Sequence, residues 1–97
     1  GRLRFTATTT RIMRVTAKVS FTGAGADVLV FGIAKNGTVD ATSKVLVAMD
    51  ATGTVDTVTL SLVVSLASND YLEVFVGNTT DTSAPTVKVL SIEANSL

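Results

Sequence analysis

The residues of this chain best able to do chemistry are its carboxylates, and Asp70 and Glu73 are the pair closest together in sequence. Two carboxylates that flank a sugar linkage can hydrolyse it by acid and base catalysis. Asp70 and Glu73, however, are three residues apart in a segment that alternates like a β-strand. Their side chains should therefore point to opposite faces. The sequence predicts no glycoside hydrolase site at this pair.

The composition excludes most other catalytic and metal-binding chemistry. The 97 residues include no His, no Cys and no Trp. Without His the usual general base is absent, and without Cys there are no thiol nucleophiles, disulfides or zinc–thiolate sites. Calcium needs several converging oxygen ligands, but the remaining acids that occur in predicted turns are scattered: Asp27, Asp40, Asp50, Asp56 and Asp81. The sequence predicts a protein that is not an enzyme and needs no metal or cofactor.

The net charge is zero, but the charges are unevenly distributed along the chain. Most of the cations lie in the first third, where Asp27 is the only acid: Arg2, Arg4, Arg11, Arg14, Lys18 and Lys35. Such a division suits contact between copies of the chain, or with another charged protein, better than nucleic-acid binding. A solvated basic face is the alternative interpretation. The longest apolar runs, 28–34 and 45–49, are too short to cross a bilayer, so we expect no membrane insertion.

The apolar pattern alternates with the period of β-strands along almost the whole chain. Residues 11–21 alternate most cleanly, and further strands are predicted at 3–7, 27–35, 38–49, 55–66, 71–78 and 86–94. Asn36-Gly37 predicts a tight hairpin turn, and the adjacent aliphatic residues Val63 and Val64 suggest a β-bulge. No helical period is present. We expect one all-β domain over residues 1–97, a two-sheet antiparallel sandwich or jelly roll.

The strand predicted at 71–78 has an unusual outer face. Leu72, Val74 and Val76 fall on one side and form the natural core face, which leaves Tyr71, Glu73 and Phe75 on the other. Outer faces of small sandwiches are usually polar. An aromatic pair there needs cover, and a neighbouring subunit is one way to provide it.

Four segments together resemble a known family: RVTAKVSFTG, VFGIAKNGT, LASNDYLEVFVGNTT and TVKVLSIEANSL. They resemble the small jelly-roll domains, similar to tumour necrosis factor and the complement globular head, of tailed-bacteriophage structural proteins. The resemblance covers residues 1–97. It is compatible with either a whole protein or the C-terminal module of a longer one.

The resemblance implies a homotrimer whose apolar and aromatic strand residues face a threefold axis. It places Tyr71 and Phe75 at that axis, and by extension Phe31 and Leu90. It also implies a non-enzymatic module on the surface of the virion, as a capsid decoration, fibre or spike protein. The partners would be other copies of the chain and the major capsid protein or another virion protein. The alternative is the tip of a tail fibre that binds a glycan or protein receptor on the host surface.

Overall fold

Most of the residues that the structure describes lie in β-strands. The structure is a computed structural model that describes residues 2–22, 27–48, 55–80 and 85–97. These residues form β1 (Arg2–Arg4), β2 (Arg11–Thr22), β3 (Val28–Lys35), β4 (Thr38–Val39), a 3₁₀ turn (Ala41–Ser43), β5 (Val45–Ala48), β6 (Val55–Leu66), β7 (Tyr71–Asn78) and β8 (Thr86–Ser96). The predicted turns at 23–25 and 50–53 lie outside the described residues. The all-β prediction is confirmed.

The strands form two antiparallel sheets. The five-stranded sheet has the order β1-β7-β3, and both β4 and β5 pair with the far edge of β3. The three-stranded sheet has the order β6-β2-β8. The prediction of two antiparallel sheets is therefore confirmed, and the arrangement is compatible with a β-sandwich.

The core lies between the inward faces of the two sheets. Val15, Val19 and Phe21 on β2 are fully buried, as the alternation of residues 11–21 predicts. They meet β3 from the other sheet, where the rings of Phe21 and Phe31 lie 4.5 Å apart at a tilted angle. Aromatic rings favour such offset contacts. The remaining core residues with 1% exposure or less are Ala17, Leu29, Ile33, Leu60, Leu66 and Leu72.

The Asn36-Gly37 hairpin is confirmed. Asn36 has φ 51° and Gly37 has φ 86°, the positive values that a two-residue hairpin turn of the I′ type requires. The turn joins β3 to β4, with Lys35 paired to Thr38.

The prediction of one continuous strand at 38–49 is wrong, because residues 40–44 interrupt it and leave two short strands, β4 and β5. Asp40 caps the 3₁₀ turn by accepting a hydrogen bond from the Thr42 backbone N–H at 2.8 Å. Asp and Ser side chains can bond to nearby backbone groups in place of a neighbouring strand. They therefore favour caps and turns over strand interiors. Ser43 then takes the place of a strand partner, because its Oγ accepts a hydrogen bond from Ile33 N at 2.8 Å.

Replacing Ser43 with alanine should lower the free energy of unfolding by about 1–3 kcal/mol, because the Ile33 N–H would be left buried without a partner. Ser43 is 2% exposed and its hydroxyl also donates to Asp40 O at 2.7 Å. Urea unfolding measures the change. Ser61→Ala on exposed β6 is the control, with an expected effect within about 0.5 kcal/mol. Equal effects of the two substitutions would contradict this role of Ser43.

The bulge predicted at Val63-Val64 is also wrong. β2 and β6 stay in register from Arg11↔Leu66 to Thr22↔Val55. The irregularity lies instead between β2 and β8, where Lys88 is an extra residue between the partners of Ser20 and Phe21. Val63 is 52% exposed and points outward, so the two adjacent valines simply lie on opposite faces.

Candidate functional site

The outer face of the five-stranded sheet carries the aromatic residues that the sequence singled out. Leu72 is 1% exposed, and Val74 and Val76 pack against the core from the same face of β7. Phe75 is 40% exposed on the opposite face, and Tyr71 is half-buried there. The predicted division of β7 into an aliphatic inner face and an aromatic outer face is confirmed.

Tyr71 is covered by its own chain. β1 pairs with β7 so that Arg4 lies opposite Tyr71 and Arg2 opposite Glu73. The Arg2 guanidinium carbon lies 4.0 Å from the centre of the Tyr71 ring and that of Arg4 lies 5.5 Å from it, both within the range of cation–π contact. Arg2 also approaches Glu73 at 3.5 Å. The alternation Arg-Leu-Arg at the start of the chain is the signal that could have predicted this cover.

Phe75, in contrast, remains 40% exposed, and its ring lies over Gly77. A Cβ on Gly77 would lie 3.3 Å from the Phe75 ring and 3.1 Å from Val30, so the ring rests across this strand position. Gly32 is the register partner of Phe75 on β3. Leu46, 66% exposed, lies beside Val30 on β5. Val30, Leu46, Phe75 and Gly77 form what we term the outer apolar patch.

Phe31 and Leu90 do not lie on this face. Phe31 is fully buried in the core, so its side chain has no exposed surface with which to contact another subunit. Phe31 alternates in step with Leu29 and Ile33, so its side chain points to the same inward face of β3. Leu90 is half-buried on β8 in the other sheet, opposite buried Val19, and packs against the core. The resemblance-based extension of the interface to these two residues is therefore not retained.

Asp70 is a structural residue of the turn before β7. Its carboxylate accepts hydrogen bonds from Asn36 Nδ2 at 2.9 Å and Ala67 N at 2.8 Å, and Lys35 Nζ lies 3.5 Å away. The hydrogen bond from Asn36, then that from Ala67 and the charge of Lys35, lower the pKa of Asp70 below its usual 3.8. Asn36 in turn accepts a hydrogen bond from Tyr71 N at 3.0 Å, which fixes the start of β7.

We expect Asp70→Asn to lower the melting temperature at pH 7 and to have a smaller effect near pH 2. The folded pKa of Asp70 lies below the unfolded value, so its stabilisation is present above about pH 3.8 and is lost as the pH falls through the folded pKa. Melting curves of both proteins between pH 7 and pH 2 test this. A difference in melting temperature that does not shrink with acidification would contradict it.

Asp27, Asp40 and Asp56 also serve local structure. Asp27 accepts a hydrogen bond from Asn78 Nδ2, and Asp56 accepts one from Thr57 N. The side-chain hydroxyl and backbone N–H of Thr42 lower the pKa of Asp40. Asp50 and Asp81 lie outside the described residues. Within the described ranges no three acidic residues converge as metal ligands.

No helix in the part of the chain that the structure describes has the length and apolarity needed to cross a membrane. No family model, curated protein or solved structure shows a significant match to the chain.

Proposed function

We propose that the chain is a non-enzymatic structural module that associates as a trimer through the outer face of its five-stranded sheet. The observation that carries the proposal is the outer apolar patch. Phe75 and Leu46 are 40% and 66% exposed on the outer face, with half-buried Val30 between them. Contiguous exposed apolar residues with a polar rim are typical of protein interfaces.

The rim of the patch is charged on one side. Arg2, Arg4 and Glu73 lie along the β1 edge of the same face, around Tyr71. In protein interfaces a fully buried apolar centre is commonly surrounded by polar residues that exclude water. Tyr and Arg are also enriched in such surfaces. We assign Phe75 to the centre and Tyr71, held by its arginines, to the margin of the contact.

The topology supports a jelly roll as the finer description of the fold. The pairs β3 with β4 and β5, β2 with β6, and β1 with β7 are nested around the single hairpin at Asn36-Gly37. Apart from this hairpin and the turn to β5, every connection passes from one sheet to the other. A jelly roll is such a long hairpin rolled into two sheets.

The location of the trimer on a virus particle is inferred from the resemblance to phage structural domains. We propose that it lies on the surface of a virion as a capsid decoration, fibre or spike protein. Three linked copies would bind a repeating shell with avidity and without further contacts. A protein that binds the assembled shell and not the separated subunits would also stabilise the shell by mass action.

Gold-labelled antibodies against the protein, applied to intact particles and viewed by electron microscopy, test this assignment. Label over the capsid, together with faster heat inactivation of particles that lack the protein, would support a decoration role. Label confined to the tail tip would favour the receptor-binding alternative. Absence of the protein from particles would contradict both.

A further inference from the structure

The Asn36-Gly37 turn is the asparagine site of this chain whose sequence most favours spontaneous deamidation. It is the only Asn-Gly in the sequence, and both residues are exposed to water. The backbone nitrogen that follows an asparagine can attack the side-chain Cγ, and glycine hinders this attack least because it has no Cβ. The nitrogen–Cγ bond forms, the Cγ–Nδ2 bond breaks, and the backbone N–H proton leaves with the amide nitrogen as ammonia. Water then opens the five-membered imide to aspartate or isoaspartate.

The backbone conformation of the turn opposes this reaction. Ring closure requires Gly37 N to lie nearly eclipsed with the Cβ of Asn36 about the Cα–C bond, which for an L-residue means a strongly negative ψ. Asn36 instead has φ 51°, and the first central residue of a type I′ turn has a ψ of about +30°. The attack therefore requires Asn36 to leave its turn conformation.

Hydrogen bonds to β7 hold Asn36 in place at three atoms. Its backbone N donates to Tyr71 O at 2.9 Å, and its Oδ1 accepts from Tyr71 N at 3.0 Å. Its Nδ2 donates to Asp70 Oδ1 at 2.9 Å. Both polar atoms of the amide are thus bound to residues that are distant in sequence. These bonds have to break before the side chain can rotate toward Gly37 N.

We propose that Asn36 is a deamidation site that the docking of the β3–β4 hairpin on β7 protects, so that the reaction follows separation of the hairpin from β7. Folded proteins open locally at a lower free energy than global unfolding requires. The rate of deamidation is then proportional to the fraction of molecules in which the hairpin is open. The protecting bonds all lie within one chain, so the proposal does not depend on the outer apolar patch.

The products do not fit the position that Asn36 occupies. Aspartate would place a carboxylate oxygen where Nδ2 donates to Asp70, so two carboxylates would face each other at the present 2.9 Å separation. Lys35 Nζ, 3.5 Å from Asp70 Oδ2, offsets part of this repulsion with its single charge. Isoaspartate adds a methylene to the main chain, which a two-residue turn does not accommodate. The reaction therefore converts a transient opening into a lasting loss of contact between the hairpin and β7.

Peptide mapping by mass spectrometry tests the protection, because conversion of the amide to an acid changes the mass of the peptide that contains Asn36. The purified protein is incubated in mildly alkaline buffer, once folded and once unfolded in guanidinium chloride. We expect the folded protein to deamidate at Asn36 at least about tenfold more slowly than the unfolded chain. Equal rates in the two states would overturn the proposal.

Asp70→Ala removes the acceptor of the Nδ2 hydrogen bond and should raise the rate in the folded protein severalfold. Ser43→Ala is the matched control, because it destabilises the fold without removing a hydrogen-bond partner of Asn36. Its rate should stay near that of the wild-type protein. No rise with Asp70→Ala, or an equal rise in both variants, would overturn the role of β7 docking. The comparison of folded and unfolded wild-type protein stands even where Asp70→Ala fails to fold.

Asn36→Asp tests the consequence of the reaction, because it carries the charge of the aspartate product and keeps a residue that the turn accepts. At neutral pH it should melt below the wild-type protein, and the Tyr71 amide should exchange its hydrogen severalfold faster. Asn95→Asp makes the same change at an exposed position of β8 and should leave both properties unchanged. Equal behaviour of the two variants would contradict the loss of docking that we assign to the product.

Discussion

Replacing Phe31 with alanine is expected to lower the free energy of unfolding by about 3–5 kcal/mol. The side chain is fully buried and its ring lies 4.5 Å from that of Phe21, between the two sheets. Removing it takes away apolar contact and leaves a cavity that strands paired on both sides cannot easily close. Urea unfolding followed by circular dichroism measures the loss.

Phe75→Ala is the matched control, because it removes the same ring from β7, 40% exposed on the outer face. Under conditions where the protein is monomeric, its effect should stay below about 1.5 kcal/mol. If Phe31→Ala cost no more than Phe75→Ala, the assignment of Phe31 to the core of the single chain would be wrong.

Phe75→Asp is expected to dissociate the proposed trimer while the subunit stays folded. It would place a charge in the centre of an apolar contact once per subunit, at a cost on the order of 2 kcal/mol or more for each copy. Sedimentation equilibrium should give a molar mass for this variant that is one third of that of the wild-type protein.

Thr59→Asp adds the same charge to the outer face of the other sheet, where Thr59 is exposed on β6. It should leave the mass unchanged. A Phe75→Asp protein with the full wild-type mass would show that the outer apolar patch is not the trimer contact. Circular dichroism spectra that match the wild type would confirm that the variant is folded.

The alternation of the sequence was sufficient to predict most of the sandwich. The run from Met13 to Phe21 places an apolar residue at every second position, and each of these residues is buried on β2. The same rule predicted the outward direction of Phe75. Period-two alternation determines side-chain direction locally, so no tertiary information was needed.

The features that were missed depend on contacts distant in sequence. The cover of Tyr71 comes from Arg2 and Arg4, which reach it only because β1 pairs with β7. The interruption at residues 40–44 combines a local cap, in which Asp40 accepts from Thr42 N, with the bond from Ile33 N to Ser43 Oγ across the sheet. The irregularity at Lys88 depends on the register of β8 against β2. Local alternation shows which face a side chain takes, but not which distant strand its own strand will pair with.

Counting the copies in the wild-type protein is the most direct test of self-association through the five-stranded sheet. Native mass spectrometry of the purified 10.0 kDa chain gives this count without a shape assumption. We predict species that contain three copies. Only monomers or dimers over the whole accessible concentration range would contradict the account.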